Sequence, residues 1–176
     1  MNREDIQSLL DYNRWCNARI LGTAAQLTDE QFLAPGTFPH GGLRATLVHL
    51  LFAEWMWRMR WQGTPPDFHY RLKPEEFPTL AALRARWAEE EALLEEFVAG
   101  VTDQKLKSEL EYTSTEGGRH KRLLWETMAH LVNHGTQHRT EAAAILTDLG
   151  HSPGDIDLIV FMNQRPPGAC GGKGSS

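Results

Sequence analysis

The chain has 176 residues, a net charge of −5 and no block of basic residues, a balance that disfavours a nucleic-acid-binding surface. Its hydrophobic fraction of 41% is typical of a soluble globular domain, and no apolar run approaches the roughly 18 residues that cross a membrane. Because Cys16 and Cys170 cannot build a disulfide framework and the first residues lack a signal peptide's apolar core, we expect a cytoplasmic protein.

Apolar residues that recur with a helical period predict four long helices. The first covers about residues 3–27, with Asn2 as its N-cap, and a short segment begins at the capping box of residues 28–31. The second covers about residues 43–62 and is apolar around most of its circumference. Such a helix is expected to lie at the centre of the fold.

The third helix follows Thr79 and carries an acidic run at residues 89–96, which we interpret as a solvated face. Alternation around residues 107–122, with a turn at Gly117, predicts a small β-hairpin before the last long helix. That helix covers about residues 123–149. Residues 166–176 are rich in Gly, Pro and Ser and are expected to be a disordered tail, separate from a helical domain at 1–165.

Three histidines on the fourth predicted helix, His130, His134 and His138, follow one another at intervals of four. Neighbours in this series lie one turn apart and can converge on one ion, and imidazole is a common metal ligand. From His130 to His138 the direction drifts by about 80°, which makes binding of one ion by all three awkward. The spacing leaves open whether the pair is His130/His134 or His134/His138.

A third ligand must come from another helix, and His49 in the apolar second helix is the leading candidate. Phe52, Ala53 and Met56 share its helical face, so a free imidazole there would be poorly satisfied. The alternative for His49 taken alone is a core histidine that bonds a backbone carbonyl or an asparagine. Helical bundles build interior metal sites from facing helices, and the histidine series therefore favours the metal.

Several motifs, in the same order, resemble the DinB/YfiT-like superfamily of metalloenzymes, over about residues 1–165. Residues 133–139 (NHGTQHR) resemble its Asn-His-x-x-x-His-Arg signature, and residues 12–17, 47–55 and 149–157 resemble its first-helix, second-helix and C-terminal motifs. The resemblance implies an all-α four-helix bundle and a homodimer. It also implies a divalent metal ion held by His49, His134 and His138.

Three imidazole ligands leave at least one position of the ion open, which is typical of a catalytic site. An open ion can activate water or hold a thiolate, so a hydrolase and an S-transferase that uses a low-molecular-weight thiol both remain open. Zinc, nickel and iron all suit nitrogen ligands. The zinc-protease motif His-Glu-x-x-His is absent, because Gly135 stands where its general base would be.

Glu141 departs from the superfamily's usual Arg-Gly-Gln continuation, and it could accept a hydrogen bond from an imidazole or act as a fourth ligand. A general base, if the reaction needs one, would be Glu141, His130 or His151. The tryptophans on the helices are expected to be core and groove walls, and Trp57 and Trp61 are the pair best placed to rim a pocket or a subunit contact. Two alternatives remain: a non-catalytic metal- or ligand-binding bundle, and a metal-free bundle whose histidines satisfy polar needs of the core.

Overall fold

The computed structural model of the chain describes residues 1–65, 67 and 69–165. Cys170 and the tail at 166–176 lie outside the described residues. The structure is mostly helical, with 64% helix and 7% strand, which confirms the all-α class. In chain order the elements are α1 (Arg3–Ala24), α2 (Asp29–Leu33), α3 (Leu43–Trp61), a 3₁₀ turn (Pro74–Glu76), α4 (Leu80–Ala99), α5 (Asp103–Leu106), β1 (Glu109–Thr113), β2 (Arg119–Leu123), α6 (Leu124–Asp148) and α7 (Leu158–Asn163).

The four long helices form a bundle in which α1 and α3 each pack against both α4 and α6. Arg3 at the start of α1 donates to a backbone carbonyl at the end of α4, so these helices are antiparallel. Glu54 contacts Trp87 and Arg58 contacts Glu90, so α3 and α4 are parallel. No helix in the described part of the chain is both long and apolar enough to cross a membrane.

Helices α3 and α6 run antiparallel, and this arrangement positions the histidines. Trp61 at the end of α3 donates to Thr127 near the start of α6, at 2.9 Å. His49, three turns earlier on α3, therefore meets the middle of α6, where His134 lies. Two segments far apart in the chain are brought together by the direction of the two helices.

The predicted helix caps and the predicted hairpin are confirmed. Asn2 caps α1 and Thr28 caps α2, each in a capping box. The predicted hairpin is present, with Glu109 opposite Leu123 in an antiparallel pair. Gly150 lies just beyond α6 with φ at 87°, a left-handed conformation that glycine adopts without strain.

The interpretation of the acidic run on α4 as a solvated face is wrong for Glu90. This side chain is 0% exposed, and its carboxylate accepts hydrogen bonds from the buried guanidinium of Arg58, including one of 2.9 Å from Nη2. Residue 90 follows Trp87 by three and precedes Leu94 by four, which places it on the buried stripe of the helix. The ion pair of Arg58 and Glu90 is therefore part of the core. The glutamates next to residue 90 in the sequence make this position look exposed.

The expectation that the tryptophans are core residues is confirmed for Trp61, and the alternative that it rims a pocket or a subunit contact does not hold. Its ring is only 4% exposed and lies between α3 and α6, where Nε1 bonds Thr127. Trp57 is 8% exposed and borders a surface pocket. Cys16 is fully buried, as expected for a cysteine that acts as a small apolar side chain.

A buried polar network joins all four long helices. Glu54 on α3 accepts 2.7 Å hydrogen bonds from the amides of Asn13 and Asn17 on α1, and a 2.8 Å bond from Trp87 on α4. Arg139 on α6 donates to the side-chain oxygens of both asparagines. Burial raises the pKa of Glu54, and these donors oppose that shift. The network fixes the rotation of each helix about its own axis.

Candidate metal centre

Histidine side chains converge where α3 crosses the middle of α6. His49 Nε2 and His134 Nε2 are 3.0 Å apart. The ring centroid of His138 lies 4.5 Å from that of His49 and 4.5 Å from that of His134. The structure therefore brings together the three histidines that the sequence analysis selected.

The 3.0 Å separation between His49 Nε2 and His134 Nε2 has two explanations. One ring could donate an N–H to the other, or both nitrogens could direct lone pairs at a shared cation. Around a tetrahedral ion with metal–nitrogen distances of about 2.0–2.1 Å, neighbouring ligand nitrogens lie about 3.3 Å apart. A small outward movement of the two rings would accommodate such an ion, so these residues fit a divalent metal.

The surroundings of His49 and His134 keep these two imidazoles neutral. Loss of hydration on burial is the main reason why the pKa of His49 falls to about 3 and that of His134 to about 4. Repulsion from neighbouring imidazoles, including His138, adds to both shifts. Since neutral imidazole is the form that binds metal, both rings offer a lone pair at physiological pH.

Glu141 contacts the cluster through His138. Its Oε2 lies 2.8 Å from His138 Nδ1, one turn along α6. With the proton on Nδ1, the ring donates to the carboxylate and leaves Nε2 available to face a cation. The sequence suggested two roles for Glu141, a hydrogen-bond acceptor for an imidazole and a fourth ligand. This contact corresponds to the first role.

His130 lies beside the cluster, with its ring centroid 5.7 Å from that of His134 and its edge against Trp57. It borders a surface pocket of about 380 Å³, whose other walls are Trp57, Tyr112, Arg122, Trp125, Glu126 and Thr127. Burial, and then the charge of Arg60, lower the pKa of His130. Of the two spacings that the sequence left open, His134/His138 is the pair that meets His49.

His151, the third candidate base, does not join the cluster. Its ring contacts Gln26 at 3.3 Å, beyond the end of α6. The helix places its last residue about 15 Å along the axis from His138. His151 is therefore too far along the bundle to serve the same site.

The sequence analysis missed His40, which lies on the loop between α2 and α3. Its ring stacks on that of His49, with centroids 3.8 Å apart and planes 18° apart, and lies 4.8 Å from that of His138. One nitrogen from each of these three rings lies within 4.8 Å of the others, in a group that could hold a metal ion. No helical period marks a loop residue, so only the presence of another histidine could have suggested it.

Gly135 and Arg139, which directly follow His134 and His138, face α1 and not the histidine cluster. A Cβ on Gly135 would lie 2.6 Å from Arg139 Nη1 and 2.9 Å from Asn13 Oδ1, so this position faces α1. The side chain of Arg139, next to His138, enters the buried network on that side. A glutamate at position 135, as in zinc proteases, would disrupt the packing against α1.

Comparisons with known proteins agree with this geometry. The model of the DinB family matches residues 1–169. A curated relative, Protein DinB of Bacillus subtilis (strain 168), is 23% identical over 166 residues, which cover 89% of this chain and 94% of that protein. Because the family match includes all four long helices and the histidine cluster, the chain belongs to the DinB family.

Proposed function

We propose that this protein is a metal-dependent enzyme, of S-transferase or hydrolase type, that holds a divalent ion with His49, His134 and His138. The observation that carries the proposal is the convergence of these imidazoles from two antiparallel helices, with His49 Nε2 3.0 Å from His134 Nε2 and the ring of His138 within 4.5 Å of both rings. Membership of a metal-associated family supports it. The ion would supply Lewis acidity towards a water or a thiol.

The chain's own residues have separable roles in this proposal. Glu141 orients His138 through the 2.8 Å contact with Nδ1, and the network around Arg139 holds α6 in the matching rotation. His130 is the better candidate for a general base, because one oxygen of Glu141 is already engaged. Its ring borders the pocket, and burial with the nearby charge of Arg60 favours the neutral, proton-accepting form.

The pocket beside His130 is the proposed substrate site. Its volume of about 380 Å³ lies in the range that small molecules occupy, and its walls include Trp57, Tyr112 and Trp125. Aromatic walls favour a substrate with an apolar or planar part, such as the electrophile that a low-molecular-weight thiol attacks. The homodimer implied by the family resemblance remains a prediction that light scattering would test.

The second candidate function is a non-catalytic metal- or ligand-binding bundle. His40 favours it, because a fourth imidazole near the ion could close the coordination sphere. The two functions differ in whether an external molecule can reach the ion. Measurements of ligand exchange at the ion would distinguish the enzyme from the non-catalytic bundle.

The first experiment is elemental analysis of tag-free protein, for the wild type and for His49→Ala. We expect one divalent ion per chain in the wild type and a large loss in the variant. His151→Ala is the matched control, since it removes a histidine outside the cluster and should keep the metal. A wild type without stoichiometric metal, or a His49→Ala variant with unchanged content, would refute the proposal.

The second experiment tests the chemistry of the loaded protein. A panel of small thiols and electrophiles, with product detection by mass spectrometry, covers both the transferase and the hydrolase reactions. We expect His130→Gln to lose turnover while it keeps its metal, because His130 lies outside the ligand group but borders the pocket. Turnover that is unchanged in His130→Gln would remove this residue from the mechanism.

A further inference from the structure

His40 has no role in the proposed three-histidine site, yet its ring lies against that site. We propose that His40 is a fourth ligand of the resting metal ion and is the ligand that yields to an incoming thiolate. The inference rests on the proposed function, since the ion is the one held by His49, His134 and His138. In this proposal the resting ion would have four nitrogen ligands. Three would remain when His40 leaves.

The position of His40 supports its role as a ligand. A nitrogen of its ring lies within 4.8 Å of nitrogens of both His49 and His138, a spread that one small ion can draw together. Four imidazoles would complete the tetrahedral sphere that zinc prefers.

The loop that carries His40 has a defined conformation. The Gly41 N–H donates to Phe38 O at 2.7 Å, and Gly41 has φ at 91°. A Cβ on Gly42 would lie 2.0 Å from Ala34 O, so the two ends of the loop touch through backbone alone. Glycines at these positions allow the close turn that places the imidazole of His40 over the cluster.

His40 is also the ring most able to leave. His49, His134 and His138 are held on long helices, and Glu141 anchors the second nitrogen of His138. By contrast, no hydrogen bond to the ring of His40 occurs among residues 1–65, 67 and 69–165. Its ring lies nearly parallel to that of His49, so the ring must turn before its lone pair can point at an ion that His49 also binds.

The first test uses cobalt(II), whose visible absorption is strong in four-coordinate sites and weak in five- and six-coordinate sites. We expect a strong band in cobalt-loaded wild type and a shifted band in His40→Ala, in which water replaces the imidazole; the band is also weaker if more than one water enters. Free imidazole added to His40→Ala should restore the wild-type band. Loss of a direct ligand should also weaken cobalt binding by at least about tenfold, while His151→Ala stays at the wild-type value.

The second test measures displacement with 2-mercaptoethanol as the probe, followed by the sulfur-to-cobalt charge-transfer band. His40 competes with the thiolate for the same position on the ion. The apparent affinity for the thiolate therefore falls in proportion to the fraction of molecules in which His40 is not bound. We therefore expect His40→Ala to bind the thiol at least about tenfold more tightly than the wild type. His40→Gln, which preserves most of the side-chain volume, should behave like His40→Ala.

The possible results separate this inference from the proposed function. Absence of stoichiometric metal in the wild type would overturn both. Metal in the wild type, together with the same spectrum and cobalt affinity in His40→Ala, would overturn the role of His40 and leave the three-histidine site intact. A changed spectrum with unchanged thiol affinity would show that His40 is a ligand that does not yield, and would overturn the displacement step.

Discussion

Replacement of Gly135 by alanine tests whether the interface between α6 and α1 is as tightly packed as the structure indicates. In an exposed helix interior this change stabilises by about 1 kcal/mol, because glycine is a poor helix former. Here the new methyl group would lie 2.6 Å from Arg139 Nη1 and 2.9 Å from Asn13 Oδ1. Both distances are shorter than real contacts of a methyl group.

The free-energy cost of Gly135→Ala depends on how far the side chain of Arg139 can move away from the new methyl group. Arg139 is 0% exposed and its guanidinium donates to both Asn13 and Asn17, so it has no solvent into which it can swing. Loss of one hydrogen bond to a charged group costs about 1.5–3 kcal/mol, which exceeds the gain in helix propensity. We therefore expect Gly135→Ala to lower the free energy of unfolding by about 0.5–2 kcal/mol, the difference between these two terms.

Urea unfolding of the metal-free protein measures this effect, and Gly22→Ala is the matched control. Gly22 lies in α1, is exposed, and has no atom within 4 Å of the point that a Cβ would occupy, so alanine there should stabilise by about 0.5–1 kcal/mol. In thermal unfolding, 1 kcal/mol corresponds to about 2–4 °C for a chain of this size. If Gly135→Ala is as stable as Gly22→Ala, the proposed packing of Arg139 against position 135 is wrong.

Three further substitutions test buried charge and the support of the cluster. Glu90→Ala leaves the buried guanidinium of Arg58 without its carboxylate, and should cost about 3–5 kcal/mol in urea unfolding. Burial raises the pKa of Glu91 to about 6, so the folded protein binds its proton more tightly than the unfolded chain and loses stability as pH rises from about 4.5 to 6. Glu91→Gln should remove that loss and be more stable than the wild type at pH 7, by less than about 1 kcal/mol because solvent screens this half-buried group. Glu141→Gln should weaken metal binding by about 10–100-fold in a chelator competition, since His138 loses a charged acceptor.

Each of these three predictions can be contradicted by a specific result. Glu89→Ala changes an exposed neighbour on α4 and should alter stability by no more than about 0.5 kcal/mol. An equal effect of Glu89→Ala and Glu90→Ala would contradict the buried pair. Parallel pH profiles for the wild type and Glu91→Gln would contradict the raised pKa. Full metal affinity in Glu141→Gln would show that the contact with His138 does not support the ligand.

Periodic signals explain the successes of the sequence analysis. The helices, their caps and the hairpin depend on residues close together in the chain, so local patterns predicted them well. His134 and His138 share a helical face for the same reason. Glu90 shows the limit of this approach: its charge was read as solvent exposure, while its helical position was that of a core residue.

Contacts between elements account for what the sequence analysis could not predict. His130, His134 and His138 are equally spaced, and only the crossing of α3 over α6 shows which pair meets His49. His40 belongs to a loop without periodicity, so its place over His49 depends on how that loop folds. The network around Glu54 likewise joins residues from four helices that no single stretch of sequence relates.

The helices, their caps and the histidines of the candidate site could be predicted from the sequence, because propensity, capping and helical spacing act over a few residues. Only the packing of the helices shows which imidazoles lie together, that Glu141 contacts His138, and that His40 lies against the cluster. These depend on the directions and rotations of packed helices. In this bundle the packing is fixed by buried side chains far apart in the chain, and distances between such residues are not encoded in any local pattern.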